Sequence, residues 1–176
     1  MNAFDEGRLR FEFGSAWDVR KWDGERAYRE GIEKLSGSKA LDFVGKLDRS
    51  LFLIEVKDFR DYRIENKKRL MHGELAIEVA QKVRDTLAGI VGVSGEGRTD
   101  CANWKPFLDA AVSQTVRVVL WLEHDPPSGK PKGTVDQMNN TLKQHLERNL
   151  RWLRPHVFVA SLADKASLQD LHVRNL

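Results

Sequence analysis

The sequence has little of what defines several large classes of proteins. Its 176 residues include one cysteine, Cys101, which excludes a disulfide framework and a cysteine-rich zinc site. No apolar run approaches the ~20 residues that a membrane-spanning helix needs. Residues 1–6 contain no apolar segment of the kind found in secretory signals. We therefore expect a cytoplasmic protein with no membrane partner.

The residues that are present are typical of a globular chain. Charged residues make up 31% of the sequence and hydrophobic residues 41%, a balance that permits a buried core. Neither an internal repeat nor a linker divides the chain, so we expect a single domain spanning residues 1–176. The formal net charge of +3 mildly favours an anionic partner.

Two short apolar segments, residues 41–44 and 51–57, are the most informative part of the sequence. Their content of Val, Ile, Leu and Phe predicts strands, yet Asp42, Glu55 and Lys57 lie within them. A buried charge is costly unless it is paired or binds a metal. Because side chains alternate along a strand, we expect Glu55 and Lys57 on one face, about 6.5 Å apart, with residues 51 and 53. Residues 52, 54 and 56 then take the other face.

The turn between these strands predicts their register. If residues 48–49 form a two-residue turn, Leu47 faces Ser50. The numbers of facing residues then add up to 97, so Asp42 is expected opposite Glu55. A four-residue loop has the same result, whereas three or five residues, or a bulge, would break it. Facing carboxylates have Cβ atoms about 5 Å apart and repel each other. A divalent cation between them would relieve this repulsion, and oxygen ligands suit Mg²⁺ or Mn²⁺.

Hydrophobic periodicity predicts the remaining elements. In chain order they are an edge strand at residues 8–13, a helix at 24–35 capped by Asp23, a long surface loop at 58–73, a helix at 74–91, a short helix or turn at 104–112, a strand at 116–122, a helix at 134–153 and a strand at 156–160. Residues 16–22 fit either a loop or a short strand, and residues 161–176 are weakly patterned. This order predicts an α/β (α+β) fold with a central mixed β-sheet flanked by helices. The strands around the 74–91 helix are expected to be parallel.

The order of charged residues along these elements resembles that of the PD-(D/E)XK nuclease superfamily. A helix with carboxylates is followed by a strand with Asp42, a strand ending in Glu55-Val56-Lys57, and a helix with Gln81-Lys82. The resemblance covers roughly residues 24–122. It implies a restriction-endonuclease-like core of the αβββαβ type. The proline that often precedes the aspartate in this family is replaced by Ala40-Leu41.

The resemblance also implies a role for each matching residue. Asp42 and Glu55 would hold Mg²⁺ (or Mn²⁺), with the Val56 carbonyl as a further ligand. Lys57 would orient or activate the attacking water and neutralise the phosphate, and Gln81 would position water or substrate. A metal polarises the phosphoryl oxygen and lowers the pKa of bound water. A nearby cation stabilises the charge that develops in the transition state.

Two positions of the implied site remain open in the sequence. Glu25 and Glu30 compete for the role of the carboxylate on the first helix, with Glu33 as a third candidate. Gln81 and Lys82 compete for the position on the helix at 74–91. Glu25, Glu30 and Lys82 are therefore accessory candidates.

The loop at 58–73 is the expected nucleic-acid contact, unless its charges form a solvated surface. Its cations could meet a phosphate backbone, and the candidates are Lys67, Lys68 and Arg69. The resulting hypothesis is a Mg²⁺-dependent endonuclease, a hydrolase of phosphodiester bonds that acts on DNA rather than RNA. A second copy or a partner protein would supply specificity. The alternatives are a catalytically silent nucleic-acid-binding or assembly subunit that retains the fold and, third, a small-molecule hydrolase.

Overall fold

Two β-sheets and four α-helices make up the part of the chain described by the computed structural model, which comprises residues 2–61, 69–70, 72–113, 115–125, 133–163 and 168–176. The strands are β1 (Asn2–Glu6), β2 (Leu9–Phe13), β3 (Asp18–Lys21), β4 (Phe43–Leu47), β5 (Ser50–Asp58), β6 (Thr115–Glu123), β7 (His156–Ala160) and β8 (Leu171–Asn175). The helices are α1 (Arg26–Arg29), α2 (Glu74–Val93), α3 (Cys101–Ser113) and α4 (Gly133–Asn149). Short 3₁₀ turns at Trp22–Gly24 and Ile32–Lys34 flank α1.

The larger sheet has five strands in the order β3-β4-β5-β6-β7. β3, β4 and β5 are antiparallel neighbours, whereas β5, β6 and β7 run parallel. The predicted mixed sheet flanked by helices is therefore confirmed, as is the parallel crossover from β5 through α2 to β6. The predicted helix at 74–91 and strands at 116–122 and 156–160 are also present.

The larger sheet lies between two hydrophobic layers, which gives the molecule three layers. Leu51 and Leu53 of β5 pack with the helices, while Phe52, Ile54 and Val56 pack towards the three-stranded sheet β1-β2-β8. This alternation was predicted from the sequence. Burial on both faces explains why β5 reads as an almost continuous apolar run.

Three predicted elements near the N-terminus differ in the structure. The predicted strand at 8–13 corresponds to β2 (Leu9–Phe13), which lies between β1 and β8, so the prediction of an edge strand is wrong. The predicted helix at 24–35 is broken into α1 and two 3₁₀ turns, because Gly31 adopts a non-helical conformation (φ −103°, ψ −114°). Asp23 lies inside the first turn instead of capping a helix.

Further differences concern the C-terminal half and the loop at 58–73. α4 ends at Asn149 and is followed by turns, where the sequence predicted helix to residue 153. β8 had no strand signal, because its outward residues are polar and its pairing partner, β2, is distant in sequence. Most of the predicted loop, residues 62–68 and 71, lies outside the described residues. Among the described helices, none has the length and apolar character needed to cross a membrane.

Candidate active site

The β4–β5 hairpin places Asp42 opposite Glu55. Leu47 faces Ser50 and Phe43 faces Ile54, so the predicted register is confirmed over β4 and β5. Asp42 is the residue just before β4, where the same register leads to Glu55. The backbone N–H of Val56 donates a hydrogen bond to Asp42 Oδ2 at 2.6 Å. The hairpin thus holds the Asp42 carboxylate against the strand that carries Glu55.

Glu55 is a fully buried carboxylate with one free oxygen atom. Its Oε1 atom accepts a hydrogen bond from Lys82 Nζ at 2.6 Å and forms an ion pair with Lys57 Nζ at 2.8 Å. Its Oε2 atom is buried and has no hydrogen-bond partner among the residues that the structure describes. A buried polar atom without a partner is costly. Glu55 Oε2 is therefore a ready ligand atom for a cation.

Helix α2 supplies two charged groups to this part of the sheet. Lys82 contacts Glu55, and Glu78, one helical turn earlier, lies 3.3 Å from Lys57 Nζ. Glu78 also pairs with Arg69. Burial alone would lower the pKa of Lys57, but the carboxylates of Glu55 and Glu78 outweigh it and the net pKa shift is upward. Lys57 is therefore held as a cation between two anions.

Asp42 has the most perturbed carboxylate of the site. Burial, followed by the charge of Glu55, raises the pKa of Asp42 to about 7, while the Val56 N–H and Lys82 act in the opposite direction. Without a counter-charge, a proton competes for Asp42 near neutral pH. A divalent cation would favour the charged form instead.

A second group of carboxylates meets at Asp42. Ligand atoms of Glu6, Asp23 and Asp42 lie within 4.8 Å of one another. Lys21 Nζ lies 2.8 Å from Glu6, and burial raises the pKa of Asp23. Sequence reasoning missed Glu6 because β1 carries no local signal, and it placed Asp23 outside the site as a helix cap.

Gln81 and Lys82 were both candidates for the site residue on α2, and the structure places Lys82, not Gln81, beside Glu55. The side chain of Gln81 accepts a hydrogen bond from Lys39 Nζ at 3.1 Å, and Lys82 is the helix residue that reaches Glu55. Glu78 was also missed, although its spacing of four residues from Lys82 places both on one helix face.

The remaining predicted residues take several positions. Glu30 is exposed and pairs with Arg26, and Glu25 is the residue that precedes α1. Neither belongs to the acidic group at Asp42 among the described residues. The Val56 side chain packs between the sheets. Lys67 and Lys68 lie outside the described residues, and the Arg69 guanidinium lies over the Phe59 ring at 5.4 Å.

The donor set fits a hard cation. Asp42 and Glu55 supply carboxylate oxygens on adjacent strands, and oxygen ligands of this kind suit Mg²⁺ or Mn²⁺. The Glu55 Oε2 atom has no partner among the described residues, and the pKa of Asp42 is raised, so a cation would be favourable at both carboxylates.

Comparison with curated proteins finds a similarity to a cysteine–tRNA ligase of Neisseria meningitidis serogroup A / serotype 4A (strain DSM 15465 / Z2491). The two are 24% identical over 170 residues, which cover 81% of this chain and 24% of the ligase. The chain thus spans about a quarter of the length of that relative. No protein-family model matches the chain, and no solved structure matches it. This degree of similarity shows neither a family nor an activity.

Proposed function

We propose that this protein is a metal-dependent phosphodiesterase that cleaves DNA as an endonuclease. The observation that carries the proposal is the buried Glu55, whose Oε2 atom has no partner among the described residues. Glu55 lies beside Lys57 and next to Val56, whose N–H donates to Asp42. Two carboxylates and a lysine in this arrangement resemble the PD-(D/E)XK site. The restriction-endonuclease-like core is part of the same proposal.

Each residue has a role that follows from its position. Asp42 and Glu55 would hold Mg²⁺, which when bound polarises a phosphoryl oxygen and lowers the pKa of water. Lys57, kept charged by Glu55 and Glu78, would donate hydrogen bonds to the attacking water or to a phosphate oxygen. Lys82 offsets the buried charge of Glu55 at 2.6 Å. Gln81 and the Val56 carbonyl remain candidates for water positioning and metal ligation.

The direct test is a cleavage assay with the purified chain in Mg²⁺ or Mn²⁺. Supercoiled, linear duplex and single-stranded DNA form the substrate panel, with tRNA added because the similar curated protein is named a tRNA ligase. Asp42→Ala, Glu55→Ala and Lys57→Ala should each reduce cleavage by about 10²–10³-fold, the usual loss for one electrostatic group. Glu30→Ala, a surface carboxylate paired with Arg26, is the matched control.

Two results would contradict the proposal. One is the absence of cleavage of every substrate with either metal, and the other is full activity in the Asp42→Ala and Glu55→Ala variants. EDTA should abolish the reaction, and added Mn²⁺ should restore it.

A second candidate is a nucleic-acid-binding or assembly subunit that does not cut. The observation that favours it is the pairing of Glu55 with both Lys57 and Lys82, because two ammonium groups can neutralise this carboxylate without a metal. This candidate predicts binding of DNA that Asp42→Ala leaves unchanged, with no cleavage by the wild-type chain.

A further inference from the structure

The end of α4 and the turn after it carry three arginines close in sequence to an exposed tryptophan. Arg148, Arg151, Trp152 and Arg154, here called the Arg–Trp patch, are all exposed. Trp152 has 59% of its surface exposed, whereas Trp17, Trp22, Trp104 and Trp121 have 7% or less. Trp152 is therefore the one tryptophan that does not contribute to the core.

The backbone of this segment is ordered by its own hydrogen bonds. Arg151 N donates to Arg148 O, and the N–H groups of Leu153 and Arg154 both donate to Leu150 O at 2.9 and 3.1 Å. Leu150 is fully buried beneath this turn. Arg148 lies in the last turn of α4, and Arg151, Trp152 and Arg154 follow within six residues in the turns after the helix. The backbone that carries the Arg–Trp patch is therefore held in one conformation.

The charge of the patch is uncompensated. Among the residues that the structure describes, no carboxylate forms a salt bridge with Arg148, Arg151 or Arg154. Cations at the C-terminal end of a helix stabilise it, which accounts for Arg148 but not for an exposed indole. An arginine cluster around a flat aromatic ring matches the chemistry of a nucleic acid strand.

We propose that the Arg–Trp patch binds single-stranded nucleic acid, with an unpaired base stacked on Trp152 and phosphates held by the arginines. Stacking needs an unpaired base, because both faces of a paired base are covered in a duplex. An anionic membrane would require a broader apolar surface. Within the described residues 133–163, Trp152 is the single large hydrophobic residue with high exposure.

The patch lies away from the proposed active site. β7 begins two residues after Arg154, and its first residue, His156, pairs with Arg117, which in turn pairs with Phe52. Phe52 precedes Lys57 by five residues on β5, a distance of roughly 17 Å along the strand. The inference therefore goes beyond the proposed cleavage, since binding here needs neither Asp42 nor a metal.

The experiment measures binding of the full chain to a fluorescein-labelled 20-nucleotide DNA strand by anisotropy in EDTA. We expect tighter binding to the single strand than to the matching duplex. Trp152→Ala should weaken single-strand binding about tenfold with an unchanged salt dependence, and Trp152→Phe should retain most of the affinity. Arg151→Gln should reduce the slope of log K against log salt by about 0.7.

Control variants remove exposed side chains elsewhere. Val112→Ala removes an apolar side chain with 77% exposure, and Lys105→Gln removes an exposed cation on α3; both should bind like the wild type. Thermal unfolding checks that each variant is folded. Unchanged single-strand binding by Trp152→Ala would overturn the inference. The inference would also be overturned if Trp152→Ala weakened binding to phosphatidylserine vesicles but left single-strand binding unchanged.

The outcomes separate this inference from the proposed function. If the wild-type chain binds single strands through Trp152 but cleaves no substrate of the panel with either metal, the result supports binding at the Arg–Trp patch and contradicts the proposed nuclease. A chain that cuts DNA while Trp152→Ala binds normally overturns the patch alone.

Discussion

Asp42 connects two groups of charged side chains. On one side it faces Glu55 with its paired lysines, and on the other it meets Glu6 and Asp23. Burial and the neighbouring carboxylates raise the pKa of Asp42 to about 7, so its negative charge is poorly compensated by the chain itself. A residue in this state gains more from a bound cation than a solvated carboxylate does.

Mn²⁺ should stabilise the folded chain through Asp42. At a metal concentration about a hundred times the Kd, linkage contributes roughly 2.7 kcal/mol, which corresponds to a rise in Tm of about 5–10 °C for a chain of this size. Differential scanning fluorimetry in Mn²⁺ and in EDTA measures the shift. Asp42→Asn should lose it, and Asp18→Asn, which alters an exposed pair with Arg20, should keep it. An equal shift in both variants would place the metal elsewhere.

Helix α2 acts on the site as one element. Its residues Glu78 and Lys82 are one turn apart, and they contact Lys57 and Glu55, which are two residues apart on β5. Helical and strand periodicities thus place two opposite-charge contacts side by side. Glu78 touches Lys57 and Arg69, so we regard it as a positioning residue for the lysine.

Under the proposed nuclease function, Glu78→Gln should lower the rate of cleavage by roughly 10–100-fold, because a small displacement of Lys57 would have an effect of this size. The loss should fall on kcat, with KM and Mn²⁺ affinity nearly unchanged, since neither Asp42 nor Glu55 is altered. Steady-state kinetics and Mn²⁺ titration measure the two effects. Glu147→Gln, from an exposed i,i+4 pair with Lys143, is the control. A loss of Mn²⁺ affinity in Glu78→Gln would contradict a role limited to Lys57.

At the scale of the whole molecule, an ion cluster joins the two sheets beside the site. Arg8, at the start of the small sheet, donates to both carboxylate oxygens of Asp58 at 2.9 Å. Arg60 does the same at 2.9 and 2.6 Å, and it also donates to Asn175 of β8. Asp58, the last residue of β5, is therefore linked by hydrogen bonds and ion pairs to the three-stranded sheet β1-β2-β8.

This cluster predicts a pH dependence of stability. Burial alone would raise the pKa of Asp58, but the hydrogen bonds from Arg60 and Arg8 outweigh it and hold the pKa below its usual value. Folding therefore favours the charged form, so this contribution is present above about pH 4 and is lost as the pH falls further. Asp58→Asn should reduce the free energy of unfolding by about 2 kcal/mol at pH 7.

Urea denaturation at pH 7 and near pH 3 measures this effect. The difference between wild type and Asp58→Asn should shrink at the lower pH, because Asp58 of the unfolded chain is then protonated and folding must remove that proton. Asp18→Asn should show little difference at either pH. If the difference in free energy of unfolding between wild type and Asp58→Asn grew on acidification, the predicted role of Asp58 would be contradicted.

The hairpin at the centre of the site follows from local sequence. Alternation of side chains and the length of the turn determine the register, and a slip of one residue would move every side chain to the opposite face. The sequence was therefore enough to predict that Asp42 lies near Glu55. It was also enough to predict that Glu55 and Lys57 share a face of the sheet. The parallel crossover was predictable as well, because connections of this kind follow general rules of chain handedness.

Only the tertiary structure determines what surrounds the hairpin. Glu6 reaches Asp42 through a small sheet whose strands β2 and β8 are far apart in sequence, and no local pattern encodes such a pairing. The expected helix at 24–35 breaks at Gly31, and the backbone N–H of Trp22 donates to the backbone carbonyl of Asp42 at 2.9 Å. Periodicity thus determined where the charges lie on each element, and long-range packing decided which of them meet.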